Sequence, residues 1–186
     1  MSVVAFDALG TLFDLGELKE RMAKPLHHAV SLTLAGEWLP LDEIVRAMDS
    51  ELAEKLRRLD PYPDARAALT KVRADGDRAW ILTNGGREQT QHLLERSGLD
   101  RLVTEIRSAE EIKKYKPHPD VYGLLSPRSR LVAAHAWDVL GAQAAGYAAV
   151  WVNRGKETWP FRGIKEPKIA GSLLDAVRPE IRVSRK

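Results

Sequence analysis

The sequence predicts an α/β fold with a mostly parallel sheet and a helical insert after the first strand. Three observations carry that expectation. Short apolar, partly β-branched runs recur at residues 2–6, 79–82, 103–106, 131–134 and 148–152. Beyond the second of these, helical segments separate the runs at roughly 20 to 30 residues, the spacing of right-handed βαβ units. The much longer interval after the first run, residues 15–60, carries helical periodicity instead. A chain of 186 residues suits one domain with a sizeable core, or one domain and a small insert.

Taken in order, residues 2–6 read as a buried strand that ends at Asp7, with Gly10 and Thr11 forming a turn. Leu18, Met22, Leu26 and Val30 then recur at helical spacing, and Ile44, Met48, Leu52 and Leu56 do so again. Residues 36–42 break the two helices, with Pro40 and Asp42 as the second helix start. Asp60-Pro-Tyr-Pro-Asp64 is a turn cluster that returns the chain to the main body, dividing it into a core of residues 1–14 and 61–186 and an insert of 15–60. A helix over 65–75, the strand 79–82, a helix over 87–97 ending at Gly98, and a weak strand 103–106 follow. A helix over 120–125, the strand 131–134, a helix over 137–145 stopped by Gly146, and a last buried strand 148–152 complete the pattern. The basic tail 178–186 reads as frayed.

Composition narrows the function classes. Twenty-nine Lys and Arg stand against 26 Asp and Glu, a formal net charge of +3, so charge gives no argument for nucleic acid or an anionic membrane as partner. The absence of cysteine excludes disulfides, thiolate zinc sites and a Cys nucleophile. Apolar runs such as 148–152 are far too short to cross a bilayer. No basic region precedes the apolar N-terminal stretch, and Asp7 interrupts it, so the expectation is a cytoplasmic protein without a signal peptide.

Parallel sheets place their sites beyond the carboxyl ends of the strands, which selects Asp7 with Thr11, Thr83 with Asn84, Lys116, and His135 with Asp138. Each has two readings. Asp7 serves as a nucleophile or as a turn cap. Thr83 and Asn84 offer an anion a hydroxyl and an amide, or cap an ordinary strand-to-helix turn. Lys116, just before Pro117, holds two carboxylates or a substrate oxyanion, or is a solvated surface charge. Asp138 orients that lysine, binds a metal, or caps a helix, and His135 is a base or a structural hydrogen-bonding residue. His27 and His28 have no partner at metal-ligand spacing.

Together, the order and spacing of these residues resemble the haloacid dehalogenase superfamily, and within it the L-2-haloacid dehalogenase (type II) branch. Phe6-Asp-Ala-Leu-Gly-Thr-Leu-Phe-Asp14 is similar to the first motif of that branch, and Leu82-Thr-Asn-Gly85 to the second. Ser108-Ala-Glu-Glu-Ile-Lys-Lys-Tyr-Lys-Pro-His-Pro-Asp-Val-Tyr122 resembles the third, and Ala136-Trp-Asp138 with Gly141, Gly146 and Val150-Trp-Val-Asn-Arg154 the fourth. Pro167 and Ser172-Leu173-Leu174 resemble the closing segment. The resemblance implies a Rossmann-like three-layer fold with a small helical cap inserted after strand 1. It also implies Asp7 as nucleophile, with Thr11, Thr83, Asn84, Lys116, Tyr122 and Asp138 at active-site positions.

Phosphatases of the superfamily carry an Asp general acid two residues after the nucleophile, where this chain has Leu9. A halide leaves without a proton, so the resemblance implies hydrolytic dehalogenation of small 2-haloacids through an ester on Asp7, with no cofactor. Two alternatives are a Mg²⁺-dependent phosphatase using Asp7 and Asp138 as metal ligands, and a catalytically silent scaffold. The chain departs from the branch in two places. It reads Ala133-Ala-His135 before Ala136-Trp-Asp138, where the branch has small polar residues, and its insert is short. His135 is then a candidate for handling the hydrolytic water, and Arg21 the nearest candidate for a halide-binding arginine. Leu32, Leu34, Trp38 and Leu39, placed in the loop region of the insert, would suggest a homodimer if exposed together.

Overall fold

The computed structural model describes residues 2–178 and contains one sheet of six parallel strands. These are β1 (Val3–Phe6), β2 (Arg78–Thr83), β3 (Glu105–Ser108), β4 (Arg130–Ala133), β5 (Ala148–Val152) and β6 (Lys168–Ala170), in the order β3-β2-β1-β4-β5-β6. The helices are α1 (Leu18–Ala35), α2 (Leu41–Met48), α3 (Ser50–Leu56), α4 (Ala65–Ala74), α5 (Arg87–Arg96), α6 (Pro119–Tyr122), α7 (Ala136–Ala144) and α8 (Leu173–Val177). The expected α/β class and the parallel sheet are both present. All four residues of β1 are buried, as a strand covered on both faces requires. Helix α4 packs on β2 and α8, and α7 packs on β4 and β5.

Strand β1 is hydrogen-bonded to β2, with Phe6 opposite Ile81, and to β4, with Phe6 opposite Val132. The chain winds outward from β1 to β3, then crosses back to β4, so the crevice where direction reverses opens at the end of β1. Asp7, Thr83 and Ala134 therefore emerge side by side.

Between β1 and α4 the chain runs through α1, α2 and α3, and its two ends are tied together. Phe13 bridges Pro61, Asp14 N–H donates to the Asp60 carbonyl (2.9 Å), and Tyr62 N–H donates to that of Leu12 (2.8 Å). Helix α1 buries Leu18, Met22, Pro25 and Ala29 and ends at Gly36, whose φ of 76° is the left-handed closure that glycine supplies. The single helix expected after residue 42 is two helices. Asp49 leaves the helical region at φ −159°, and its carboxylate accepts the Leu52 N–H (2.9 Å), ending α2 and capping α3.

Other boundaries also differ from expectation. Strand β3 begins at Glu105 rather than 103 because Asp100–Leu102 form a 3-10 turn. The helix expected over 120–125 is the single turn α6. The strand 148–152 is not the last: β6 adds a three-residue edge strand, two of whose residues are exposed, too short to leave a periodic signal. Leu32 and Leu34 lie on the last turn of α1 rather than in a loop; Leu34 is 81% exposed and Leu39 47%. The tail beyond Arg178 lies outside the described residues. Among the described residues, no helix is long and apolar enough to cross a membrane.

Gly141 on α7 marks the tightest helix contact near the site. A Cβ there would stand 2.3 Å from Tyr122 Oη and 2.8 Å from Pro117 Cβ. Gly141→Ala is expected to destabilise the protein by about 1–3 kcal/mol through overpacking. Chemical denaturation checks this, and an unchanged midpoint would mean that α6 and α7 have room to separate.

Candidate active site

Asp7 is presented by a tight turn. The Ala8 carbonyl accepts from the N–H groups of Thr11, Leu12 and Phe13 (3.3, 3.0 and 3.0 Å), folding the chain back directly after β1. Gly10 allows the turn at φ +82°, and a Cβ there would sit 2.7 Å from His135 Nε2, so glycine is required twice over. The turn brings the Thr11 hydroxyl onto Asp7 Oδ2 (2.7 Å), while Thr11 Oγ1 accepts the Ala134 N–H (3.0 Å). Asp7, at the end of β1, is thereby tied to the end of β4.

Lys116 enters from the far side with its side chain fully buried. Its ammonium donates to Asp7 Oδ1 (2.8 Å), Asp138 Oδ2 (2.6 Å) and the Leu82 carbonyl (2.9 Å). Three donors and three acceptors make the set complete. Asp138, in the first turn of α7, receives the Tyr122 hydroxyl at Oδ1 (2.8 Å), so both of its oxygens are engaged. Asn84 holds the lysine by its backbone: the Lys116 N–H donates to Asn84 Oδ1 (2.8 Å), and Asn84 Nδ2 donates to the Lys116 carbonyl (3.3 Å). Thr83 Oγ1 accepts the Gly85 N–H (2.9 Å) and shapes the loop after β2.

Above Asp7 lies a cavity of about 20 Å³. The core contributes Asp7, Leu9, Thr83, Asn84 and His135 to its walls, and helices α1 and α2 contribute Met22, Leu26 and Leu41. His135 Nε2 lies 3.0 Å from the Leu9 carbonyl, which can only accept, so this nitrogen carries the proton. It stands 4.0 Å from Asp7 Oδ2, and the ring stacks on Trp137. Arg21 does not join this group. Its guanidinium is held by Asp49 (2.7 Å) and Glu51 (3.1 Å), where it staples α1 to α3, and it is absent from the cavity wall. The structure thus places Arg21, expected as a halide-binding candidate, on carboxylates at the start of α3 rather than on the cavity.

Burial pushes the Asp7 carboxyl up, but the Lys116 charge, then His135 and the hydrogen bonds from Lys116 and Thr11, bring it below its ordinary 3.8. Burial is also the largest influence on Asp138, and with the nearby Asp7 charge it leaves that carboxyl raised despite Lys116. Burial opposes the charge on Lys116, yet Asp138 and Asp7 together raise it. Asp7 is thus the carboxylate that stays ionised on acidification. Because its folded value is depressed, its share of stability is present above pH 3.8 and fades as the pH falls through the folded value. Asp7→Asn is expected to be less stable than wild type at pH 7, with the gap narrowing below pH 3.8 in denaturant titrations. A gap constant with pH would contradict the assigned direction.

Sequence reasoning missed Asp49, and it gave no individual site role to Tyr115, Trp38 or Trp137. Tyr115 N–H donates to Thr33 Oγ1 (3.0 Å), its hydroxyl donates to the Leu39 carbonyl (2.6 Å), and Trp38 stacks on its ring at 4.4 Å. The insert is thereby fastened to the residue before Lys116. Its position beside Lys116 was the available signal; the partners, about 80 residues away, left none.

Comparison with known proteins agrees with this geometry. The family described as haloacid dehalogenase-like hydrolase matches residues 15–152, most of the chain. Haloacetate dehalogenase H-2 of Moraxella sp. (strain B) is 27% identical, across 95% of this chain and 96% of that protein. (S)-2-haloacid dehalogenase 4A of Burkholderia cepacia is 29% identical, across 80% of this chain and 81% of that protein. In fold, the structure of L-2-haloacid dehalogenase from Xanthobacter autotrophicus with chloropropionic acid covalently bound matches with a TM-score of 0.80 at 22% identity, covering 94% of this chain and 96% of that one. With a parallel sheet that carries a buried aspartate, lysine and aspartate beyond its central strands, and with most of its length matched, this chain belongs to the haloacid dehalogenase-like hydrolase family.

Proposed function

We propose that the protein is a hydrolytic dehalogenase of small 2-haloacids, with Asp7 as nucleophile. The observation that carries this reading is the pairing of an ionised, buried Asp7 with Leu9, a residue unable to protonate a leaving group. An Asp7 oxygen attacks C2, a carbon–oxygen bond forms, and the carbon–halogen bond breaks with its electron pair leaving as halide. Water then attacks the Asp7 Cγ carbonyl, expelling the 2-hydroxy acid and restoring the carboxylate. Lys116 and Thr11 each hold one Asp7 oxygen, which fixes the attack geometry, and Asp138 and Tyr122 hold Lys116 in turn. Thr83 and Asn84 face the cavity where the substrate carboxylate or the departing halide would lie.

His135 is suited to the second step. With Nε2–H spent on the Leu9 carbonyl, Nδ1 is the nitrogen left to take the proton of the hydrolytic water. Its ring and Leu15 also border a cavity of about 130 Å³ on the outer side of the site, from which water can reach it.

The reading uses no cofactor. A magnesium site on Asp7 and Asp138 is disfavoured by the Lys116 ammonium between them and by the full engagement of both Asp138 oxygens. It treats residues 15–60 as a cap over the core and the cytoplasm as the compartment. It also allows two copies to pair through the exposed Leu34 and Leu39, which light scattering would reveal.

Halide release from L-2-chloropropionate and fluoroacetate in EDTA is the primary test. Wild type is expected to release halide, and Asp7→Asn to lose on the order of 10³-fold or more. Metal-dependent turnover of a phosphoester with no halide release would sink the reading. For His135→Ala, rapid quenching and peptide mass measurement are expected to find the Asp7 ester accumulating, with steady turnover reduced roughly 10²-fold. Unchanged turnover would remove His135 from the mechanism.

A further inference from the structure

Leu9 and Leu41 each border two cavities. One is the small cavity over Asp7; the other, about 200 Å³, lies between α2, α3 and the start of α5. We propose that this second cavity receives the hydrocarbon chain on C2 of a 2-haloacid longer than propionate, with Leu9 and Leu41 as the partition that sets the accepted length. The inference rests on the dehalogenation reading and deepens it by naming the substrate class.

Size is the first argument. The cavity over Asp7, about 20 Å³, is on the scale of one water, for which ~10–15 Å³ suffices. A substrate therefore fits only if neighbouring side chains give way, and the adjoining space is ten times larger. The partition is two leucine side chains, one of them only half-buried, and the backbone beside it is Gly85-Gly86. A Cβ on Gly85 would lie 3.7 Å from Leu9 Cδ1, ordinary packing distance, so Leu9 packs directly beside this loop.

Chemistry of the walls is the second. Val45, Ala53 and Leu56 are buried apolar residues that form the inner wall, suited to methylenes. At the rim, the two cations Arg46 and Arg57 are outnumbered by the three acids Asp42, Glu88 and Glu110. Arg46 is paired with Glu54 at 3.6 Å, and Glu110 accepts the Arg87 N–H at 3.1 Å. Such a rim selects no second carboxylate, so a neutral alkyl chain is the occupant the walls favour.

The test is kcat/KM for halide release from (S)-2-bromopropionate, 2-bromobutanoate and 2-bromohexanoate. Wild type is expected to gain about 4-fold per added methylene, equivalent to ~0.8 kcal/mol per buried CH₂. Gln89→Trp, at a half-exposed wall position in the first turn of α5, is expected to flatten the series while leaving bromopropionate turnover within about twofold. Leu9→Ala, read independently of that variant, is expected to raise hexanoate relative to propionate. A flat or falling wild-type series, with bromopropionate turned over, overturns the inference alone. A rising series that neither variant alters overturns the assignment to this cavity. No halide from any of the three acids overturns the dehalogenation reading and takes the inference with it.

Discussion

The Lys116 ammonium sits where water does not reach, and three acceptors from three different strand ends converge on it. Asp7 follows β1, the Leu82 carbonyl belongs to β2, and Asp138 follows β4. Burying such a charge unpaired costs several kcal/mol, so the lysine is tolerable only if the strands assemble in this order and register. In return it lets two carboxylates share a dry pocket and keeps the one facing the cavity ionised. Removing the cation would leave two buried carboxylates without their shared counter-charge, a loss on the order of 3–5 kcal/mol. Fold and chemistry are thus linked through one atom.

Around that atom the supports are directional. Asn84 clamps the lysine backbone, Tyr122 occupies the outer oxygen of Asp138, and Thr11 takes the second oxygen of Asp7. Each engages an oxygen or backbone group that would otherwise be free to rotate or to take water. Asp7 therefore borders the cavity with each of its oxygens held by a separate donor.

Helices α1 and α2 line the cavity over Asp7, and the segment between β1 and α4 that carries them is joined to the rest of the chain at both levels. Backbone bonds tie its two ends at residues 12–14 and 60–62, while Tyr115 ties α1 and the following loop to the residue beside Lys116. Any opening of the insert must strain or break the Tyr115 contacts, so access to Asp7 and placement of Lys116 are mechanically coupled. The apolar residues that the insert lowers onto the site, Met22, Leu26 and Leu41, exclude water from the charged pocket and so strengthen its electrostatics.

Five of the strands in their order along the chain, the residues after each of them and the helical stretch that follows β1 were legible in the sequence, because hydrophobic periodicity and turn residues are local properties. Asp7, Thr11, Lys116 and Asp138 were legible as a set, since motif spacing survives translation into strand ends. The six-stranded order was not, because the edge strand β6 is only three residues long and two of them are exposed. Nor was the split of α2 from α3, which depends on the Asp49 carboxylate turning back to the Leu52 N–H. Arg21 exposes the limit most clearly. A positive charge at a promising position meets two acids that the tertiary fold alone brings within reach. Sequence determined which groups are available and where along each strand they emerge. Tertiary structure decided which of them meet, because hydrogen bonds of 3 Å between residues more than 100 positions apart depend on packing that no local pattern encodes.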